Sequence, residues 1–366
     1  MSPEERILAV FEKKPKDRIP WNIRHECWYF TNKAKGTLKP VYANMGLSDV
    51  CKELSASWRC YSGYYVENAF KVRFDGEVDV KVRRDGREVT TIIETPKGAL
   101  RTVSLRDRLG LSSRRIEYPV KSLEDFKPLE YMLERVKVEF DHEAYMRLRN
   151  MVKGNGIVSY FFPRTPLQAL FINYMGITRT IKFLFRHREK VEGLMECIEA
   201  HNDKFYEAVA QTPIKILNLG ENIDSRITSP KLFMKYCLPR YQERSSYLHK
   251  RGKFLHIHID GHAKPLLPIL KETGLDGVEA LTPKPAGDFT LENLKKHLGD
   301  EMVILDGIPY TLFLKSVRIE ALERFVRRII SMFPENLVLG ISDELPPPAD
   351  ESRVRRVSEI LEEEVN

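Results

Sequence analysis

Two histidines and an aspartate recur at every second position in the segment Phe254-Leu-His-Ile-His-Ile-Asp-Gly-His262. Because side chains alternate along a β-strand, His256, His258 and Asp260 would share one face and the apolar residues between them the other. Imidazoles and a carboxylate on one face can bind a divalent metal or support general acid–base catalysis. We therefore predict that the polar face of this strand forms part of an active site.

The elements that must position these side chains alternate between strands and helices. Short apolar strands are predicted near residues 157–162, 214–220, 253–261, 277–281, 302–306 and 337–342, each separated from the next by helical sequence. A strand near residues 17–24 makes seven such units, and an eighth is expected from less regular sequence. Alternation of this kind favours a parallel sheet, and no strand is followed by a glycine-rich nucleotide-binding motif. We predict an α/β fold, a (β/α)8 TIM barrel, as a single domain spanning residues 1–366.

The N-terminal third departs from this regularity. Residues 40–62 are predicted to be mostly helical. Between about residues 70 and 104 the apolar period changes to two, and Asp75-Gly76 and Asp85-Gly86 are hairpin turn signals. The runs FKVRF, EVDVKVRR and REVTTIIET would form an inserted β-meander. A structural decoration is the simpler interpretation, and a flap or an interface arm is the alternative.

The composition limits the classes of function. The chain has 366 residues, 42% hydrophobic and 30% charged, with a net charge of +7. Basic and acidic residues are interleaved, which argues against nucleic-acid binding. No apolar run is long enough to span a membrane, the N-terminus is not a signal peptide, and the five cysteines form no C-x-x-C pair. We expect a cytoplasmic protein that acts on a small molecule, and the sequence leaves a homodimer open.

In a TIM barrel the C-terminal ends of the strands meet at one mouth, where active sites lie. We predict a catalytic group, a substrate-binding group and a metal site among the residues at these ends. Catalysis is assigned to His258, Asp260 and Glu279, substrate binding to Arg24, His25, Arg164, Glu221, Asn222 and His256, and metal binding to His258, Glu279 and Asp343. Three of these have structural alternatives: a buried, satisfied histidine for His256, a structural ion-pair partner for Glu279 and a turn residue for Asp343.

Several motifs resemble the uroporphyrinogen decarboxylase superfamily. The opening EERILAVFEKKPKDRIPW is similar to the first helix and D-R-x-P strand of that family. The stronger match is the C-terminal half, from SPKLFMKYCLPRY through GKFLHIHIDGH and GLDGVEALTPKPAGDFTLENLKKHLGD to GISDELPP. The resemblance implies a (β/α)8 barrel with a cleft at the C-terminal ends of its strands.

The superfamily contains two activities. Its decarboxylases use no cofactor and hold the carboxylates of a tetrapyrrole with an R-Q-A-G-R stretch. The corresponding segment here, Ile23-Arg-His-Glu-Cys-Trp28, keeps Arg24 but lacks the Q-A-G-R that should follow. Without that basic clamp, a substrate with eight carboxylates is disfavoured.

Its methyltransferases pass methyl groups to or from corrinoid proteins or thiols, and they hold zinc with an H-x-C motif and a later cysteine. His258-Ile-Asp-Gly261 resembles H-x-C-G with Asp260 in place of the cysteine, and the later cysteine would fall near Ser342 or Asp343. The resemblance therefore implies methyl transfer from a small methylated substrate to a corrinoid protein, with zinc as the metal. The alternatives are a cofactor-free decarboxylase and a tetrapyrrole- or corrinoid-binding module without catalysis.

Overall fold

The computed structural model describes residues 1–364 and shows an α/β fold. Fourteen strands occur in this part of the chain. They are β1 (Asn22–Ile23), β2 (Ser57–Ser62), β3 (Phe70–Phe74), β4 (Asp79–Asp85), β5 (Glu88–Thr95), β6 (Gly98–Arg106), β7 (Ser113–Glu117), β8 (Val136–Phe140), β9 (Gly156–Phe162), β10 (Ile216–Leu219), β11 (Phe254–His258), β12 (Gly277–Glu279), β13 (Val303–Pro309) and β14 (Leu337–Ser342).

Thirteen α-helices accompany these strands within residues 1–364. They are α1 (Pro3–Phe11), α2 (Glu26–Lys35), α3 (Leu47–Glu53), α4 (Phe126–Glu134), α5 (His142–Val152), α6 (Pro166–Ala169), α7 (Ile177–Arg186), α8 (Arg188–Ala210), α9 (Pro230–Leu232), α10 (Leu238–His249), α11 (Leu291–Leu298), α12 (Ile319–Met332) and α13 (Ser352–Glu363). The first begins at a capping box, in which Ser2 and Glu5 exchange side-chain-to-backbone hydrogen bonds.

The chain divides into two compact units, each built from separate segments. The first unit comprises residues 1–69, 142–162 and 213–366, and the second comprises residues 70–141 and 163–212. The prediction of one domain over residues 1–366 stays a prediction.

The first unit contains the predicted parallel sheet. Its eight strands are ordered β1-β2-β9-β10-β11-β12-β13-β14, and every neighbouring pair is parallel. The sheet returns on itself where the Leu339 amide donates to the Pro20 carbonyl and Trp21 bridges Leu339. This nearly closed parallel sheet confirms the predicted α/β fold and is consistent with the predicted TIM barrel. Because the strands are parallel, their C-terminal ends meet at one mouth.

The opposite end of the barrel is filled with apolar side chains. Ile7, Val10 and Phe11 of α1 pack against buried residues of four strands, Ile157, Ile216, Val303, Leu305 and Val338. Phe254 joins this layer at the start of β11, and its ring centroid lies 5.6 Å from that of Phe11. The first helix therefore covers the N-terminal end, and the polar side chains of the sheet lie nearer the mouth.

The eighth strand is β2, in a region where the sequence predicts helix. Its residues Ser57–Ser62 are all buried, although the sequence SWRCYS contains serines and an arginine. Ser57 and Arg59 both contact Asn22 of β1, which shows that these polar side chains point into the barrel. The helical prediction is wrong from residue 57 onward. A buried parallel strand is expected to be a run of apolar residues, but β2 carries polar side chains that make hydrogen bonds inside the barrel.

The second unit contains two antiparallel sheets. β3 pairs with β8, and β4, β5, β6 and β7 form a four-stranded meander in sequence order. The run FKVRF therefore does not join the following two strands as predicted, and the meander extends to Glu117 instead of ending near residue 104. Helix α4 packs on β5 and β6, and α8 packs on α4.

The helices differ in length and polarity, and both properties decide whether a helix can cross a bilayer. Within residues 1–364, none of them combines the length and the apolar character that this requires.

Candidate active site

The site is organised around His258, the last residue of β11. Its Nδ1 lies 2.9 Å from Oε2 of Glu279, the last residue of the neighbouring β12. Its Nε2 faces two carboxylates, Oδ1 of Asp343 at 3.6 Å and Oδ2 of Asp260 at 3.9 Å. The structure therefore brings together the three predicted catalytic residues and Asp343. The imidazole is anchored through one nitrogen and presents the other toward the mouth.

Glu279 is fully buried, and four side chains contact its two oxygens. Oε1 accepts hydrogen bonds from Arg59 Nη1 at 2.7 Å and from the Tyr61 hydroxyl at 2.6 Å. Oε2 accepts from Asn218 Nδ2 and lies beside His258. Burial alone would raise the pKa of Glu279, but the hydrogen bond with His258 and the charge of Arg59 hold that pKa well below the usual range. Glu279 is therefore a carboxylate, and Nδ1 of His258 donates to it.

Arg59 connects Glu279 to a second buried acid. Its Nη1 also lies 2.8 Å from Oδ1 of Asp306, while Nε and Nη2 donate to Oδ1 and the carbonyl of Asn22. Burial raises the pKa of Asp306 to about 7. The charge of Arg59 lowers this pKa, and repulsion from Glu279 raises it further. Two acids thus share one guanidinium, and Asp306 is the one that titrates near neutrality.

The backbone around Asp306 is unusual in a way that supports this contact. Leu305 packs in the apolar interior of the barrel. The side chain of the next residue, Asp306, also points inward, to its ion pair with Arg59. Strict strand alternation would send one of them outward, but Asp306 has a φ of +81°. A Cβ on Gly340 would lie 2.4 Å from Oδ1 of Asp306, so the neighbouring strand needs glycine there. Backbone outliers of this kind cluster at functional sites.

The acids around His258 decide its charge. Burial would lower its pKa, but Asp343, Glu279 and Asp260 outweigh that effect and raise the pKa to about 9. The ring is therefore a cation at neutral pH, with a proton on Nε2 that faces the mouth.

Arg24 follows β1 and forms the second cationic centre of the mouth. Its Nη1 donates to Oδ1 of Asp343 at 2.8 Å, and its Nη2 lies 3.9 Å from Glu344. Its guanidinium carbon lies 4.7 Å from the ring centroid of Tyr64, 5.4 Å from that of Tyr61 and 5.6 Å from that of Phe161. Arg24 is thus enclosed by aromatic rings and paired with acids of this chain.

The two predicted substrate-binding residues after β10, Glu221 and Asn222, contact different side chains. Asn222 donates to Oδ2 of Asp260 at 3.0 Å, so it borders the carboxylate on the open side of His258. Glu221 is buried and accepts a hydrogen bond from the Tyr241 hydroxyl at 3.1 Å. Asn222 is consequently the better placed of the two to meet a substrate.

Two predicted substrate-binding histidines are buried away from the mouth. His25 lies against the Leu47 carbonyl at 3.0 Å and against Sγ of Cys51 at 3.3 Å, and burial lowers its pKa to about 4. His256 packs near Phe11, and burial lowers its pKa to about 3. Neither ring nitrogen of His256 has a hydrogen-bond partner among the described residues. These positions disfavour direct contact with substrate for both.

The predicted substrate-binding residue Arg164 belongs to the second unit. Its carbonyl accepts a hydrogen bond from Asn202 of α8 at 2.9 Å.

The zinc set predicted from His258, Glu279 and Asp343 has few lone pairs to offer a metal. Glu279 already accepts hydrogen bonds on both oxygens, and Oδ1 of Asp343 accepts one from Arg24. Within residues 1–364 no three His, Cys, Asp or Glu side chains are grouped so that they could hold a metal ion. The predicted set therefore does not fit a zinc ion, and Glu279 has the role of orienting the imidazole.

A cavity of about 740 Å³ lies elsewhere in the first unit. It is lined by Val10, Lys16, Val303 and Asn336, among others, and by none of the residues that surround His258. Its walls belong to the N-terminal end of the barrel, which α1 covers. We assign the chemistry to the mouth, because the cationic imidazole lies there.

Sequence reasoning missed Arg59, Tyr61 and Asn218, which hold Glu279 in place. Asn218 lies opposite His256 in the sheet register and points to the same side, so strand alternation could have found it. Arg59 and Tyr61 lie on β2, which was predicted to be helical, so no pattern led to them.

The sequence matches one family model, and solved structures resemble the fold. The family model of uroporphyrinogen decarboxylase (URO-D) matches residues 115–364, more than half of the chain. No curated protein matches the sequence. A methyltransferase from Methanosarcina mazei is similar in structure, with a TM-score of 0.62, 12% identity and 100% of both chains covered. At that identity the likeness shows the fold alone.

A second solved structure is more distant. It is a B12-independent methionine synthase from Shewanella sp. W3-18-1 in complex with selenomethionine, with a TM-score of 0.42 and 12% identity over 90% of this chain and 91% of that one. The match to the family model covers both the His258 strand and the closing Gly340-Ile-Ser-Asp-Glu segment, and the chain belongs to the uroporphyrinogen decarboxylase family.

Proposed function

We propose that this protein is an enzyme that transfers a methyl group from an oxygen or nitrogen atom of a small substrate to an external nucleophile. His258 would act as the general acid. The observation that carries this proposal is the geometry of the imidazole, which Glu279 holds through Nδ1 and whose Nε2 lies beside Asp260 and Asp343, the acids that with Glu279 raise its pKa to about 9. An acid in that position is suited to a leaving atom that needs a proton.

One bond forms and one breaks at the methyl carbon. The bond to the leaving oxygen or nitrogen breaks as the nucleophile bonds to that carbon. The electron pair of the broken bond stays on the leaving atom, which takes the proton from Nε2 of His258. The neutral imidazole is then reprotonated from solvent, and the carboxylate of Glu279 stabilises each new imidazolium.

The methyl acceptor that the family resemblance implies is a corrinoid presented by a partner protein. A reduced corrinoid supplies a strong nucleophile when bound. The open side of His258 is compatible with a bulky acceptor, because the side chains that border it, Asp260 and Asp343, are 32% and 41% exposed. The proton transfer derived above uses residues of this chain alone.

The charges around the mouth support a substrate without several carboxylates. The two terminal nitrogens of Arg24 face Asp343 and Glu344, so this guanidinium is already paired with acids of its own chain. The groups that border the open side of His258 are also carboxylates. A porphyrinogen would bring more negative charge to this place, at a cost in repulsion. A methyl ether or a methylamine would bring none.

The experiment incubates the protein and a His258→Gln variant with methoxyarenes and methylamines, using reduced cobalamin as the acceptor. Mass spectrometry measures the demethylated product. We expect turnover that falls at least about a hundredfold in the variant, as is typical for loss of a general acid. Release of CO2 from uroporphyrinogen would contradict the proposal in favour of decarboxylation. Binding of a tetrapyrrole without any turnover would favour a binding module.

A further inference from the structure

Two consecutive residues of β13, Asp306 and Gly307, depart from ordinary strand geometry. Their φ angles are +81° and +91°, and the second would strain any residue other than glycine. In the sheet, β13 lies between β12 and β14, the strands that end at Glu279 and Ser342. The irregular backbone turns two polar groups toward these neighbours, the carboxylate of Asp306 and the amide of Gly307.

The carboxylate of Asp306 contacts β12 just beyond Glu279. Its Oδ2 accepts a hydrogen bond from the amide of Ala280 at 3.2 Å. Its Oδ1 lies 2.8 Å from Nη1 of Arg59, the same nitrogen that donates to Glu279 at 2.7 Å. The first contact fixes the backbone that carries Glu279, and the second fixes the guanidinium that holds its carboxylate.

The amide of Gly307 contacts β14 on the other side, one residue before Asp343. It donates to Oγ of Ser342 at 3.1 Å, and this hydroxyl donates to the Leu281 carbonyl at 3.4 Å. Ser342 is fully buried and is the residue that precedes Asp343. The position of Asp343 therefore depends on the same segment of β13 that contacts the end of β12.

The two acids placed by these contacts lie at opposite nitrogens of His258. Glu279 is 2.9 Å from Nδ1, and Asp343 is 3.6 Å from Nε2. We propose that the Asp306-Gly307 pair is a positioning element, which sets the spacing of the two acids between which the imidazole lies. Asp306 is then a positioning residue that acts on His258 through Glu279. Its assignment to the reaction rests on the proposed role of His258 as the acid.

Asp306→Asn tests the contacts toward Glu279. Asparagine keeps an oxygen for the Ala280 amide but removes the charge, so the charge of Arg59 is less well balanced. At pH 9, where His258 titrates, Asp306 is ionised because its own pKa is about 7. We expect NMR to show the pKa of His258 lowered by about one unit. In the demethylation assay kcat should fall about tenfold or more, with KM unchanged.

Asp17→Asn is the matched control. Asp17 pairs with Arg6 of α1, the helix that covers the opposite end of the barrel. This variant should leave the pKa of His258 and kcat unchanged, even if its melting temperature falls. An unchanged pKa of His258 in folded Asp306→Asn, or an equal shift in both variants, would overturn the positioning role and leave Asp306 a purely structural acid.

Ser342→Ala tests the contact toward β14. It would loosen Asp343, the acid that most raises the pKa of His258 against burial, so that pKa and kcat should both fall. Ser358→Ala, which removes a hydroxyl bonded to the Ser55 carbonyl, should change neither. Identical behaviour of the two serine variants would refute this half of the proposal. A wild-type protein without turnover would count against methyl transfer alone, because the NMR titrations measure the positioning independently.

Discussion

Nδ1 of His258 lies 2.9 Å from Oε2 of Glu279, and this contact determines which nitrogen of the imidazole can exchange a proton with a substrate. A carboxylate that accepts from one ring nitrogen fixes the orientation of the ring and raises the basicity of the other nitrogen. Arg59, Tyr61 and Asn218 support this contact, because all three donate hydrogen bonds to Glu279 and fix its position.

The activity should depend on pH through His258. Its pKa is raised to about 9 by Asp343, Glu279 and Asp260, against burial, and the proposed reaction needs the protonated form. We therefore expect kcat/KM to be level around neutrality and to fall as the pH rises through about 9. In His258→Gln this descending limb should be absent from the residual rate. A limb that persists unchanged in the variant would assign the titration to another group.

Removing the charge of Glu279 should weaken the acid without removing it. In Glu279→Gln the imidazole loses an anionic partner, so its pKa should fall and the descending limb of the profile should move to lower pH. Loss of an orienting carboxylate typically costs about 10- to 100-fold in activity. The Nε2 and Nδ1 resonances of His258, followed by NMR against pH, would report the pKa directly. An unchanged pKa in this variant would contradict the role given to Glu279.

The raised pKa of His258 also predicts a dependence of stability on pH. The pKa of this residue in the folded protein, about 9, exceeds its ordinary value of 6.5. The stabilisation from its ion pairs should be complete below pH of about 6.5 and should be lost as the pH rises through about 9. Denaturant unfolding of the wild type and of His258→Gln at a series of pH values measures the difference. A difference that grows with rising pH would have the wrong sign.

Arg59 lies in the barrel interior and should contribute strongly to the free energy of unfolding. Arg59→Met leaves two buried carboxylates, Glu279 and Asp306, without their shared cation, and breaking a buried ion pair in this way costs about 3–5 kcal/mol. Arg318→Met is the control, since that side chain is 86% exposed and its loss should cost about 0.5 kcal/mol or less. Urea denaturation would compare the two free energies of unfolding. Equal losses would mean that the interior ion pair contributes little.

Zinc should not bind at the mouth through His258. Both oxygens of Glu279 and one oxygen of Asp343 already accept hydrogen bonds from other side chains. Elemental analysis of protein purified without chelator, alongside His258→Ala, should give the same zinc content for both. One zinc per chain that disappears with the imidazole would contradict this expectation and revive metal-assisted chemistry.

The sequence predicted what depends on local periodicity. Alternation in the 254–262 segment put His256 and His258 on the interior face, and the carboxylate at the end of the next strand, Glu279, was expected at the same mouth. The apolar strands after residue 156 were found for the same reason. These features depend on residues that are neighbours along the chain, so a single sequence is enough to predict them.

What the sequence did not predict depends on contacts between distant segments. Arg59 and Glu279 are 220 residues apart, and β2 was missed because the polar side chains of SWRCYS are satisfied only inside the closed sheet. His25 was placed with Arg24 because they are adjacent, yet it turns toward Leu47 and Cys51. Asp306 reaches Arg59 through a positive φ that strand alternation does not anticipate.

The first helix covers the end of the barrel remote from His258, where Phe11 and Val10 pack onto the interior apolar layer. A molecule that enters beside Asp260 and Asp343 must consequently depart by the same opening. Under the proposed reaction, substrate, acceptor and demethylated product would then share one entrance. The product would have to leave before the next methyl donor could reach the imidazolium.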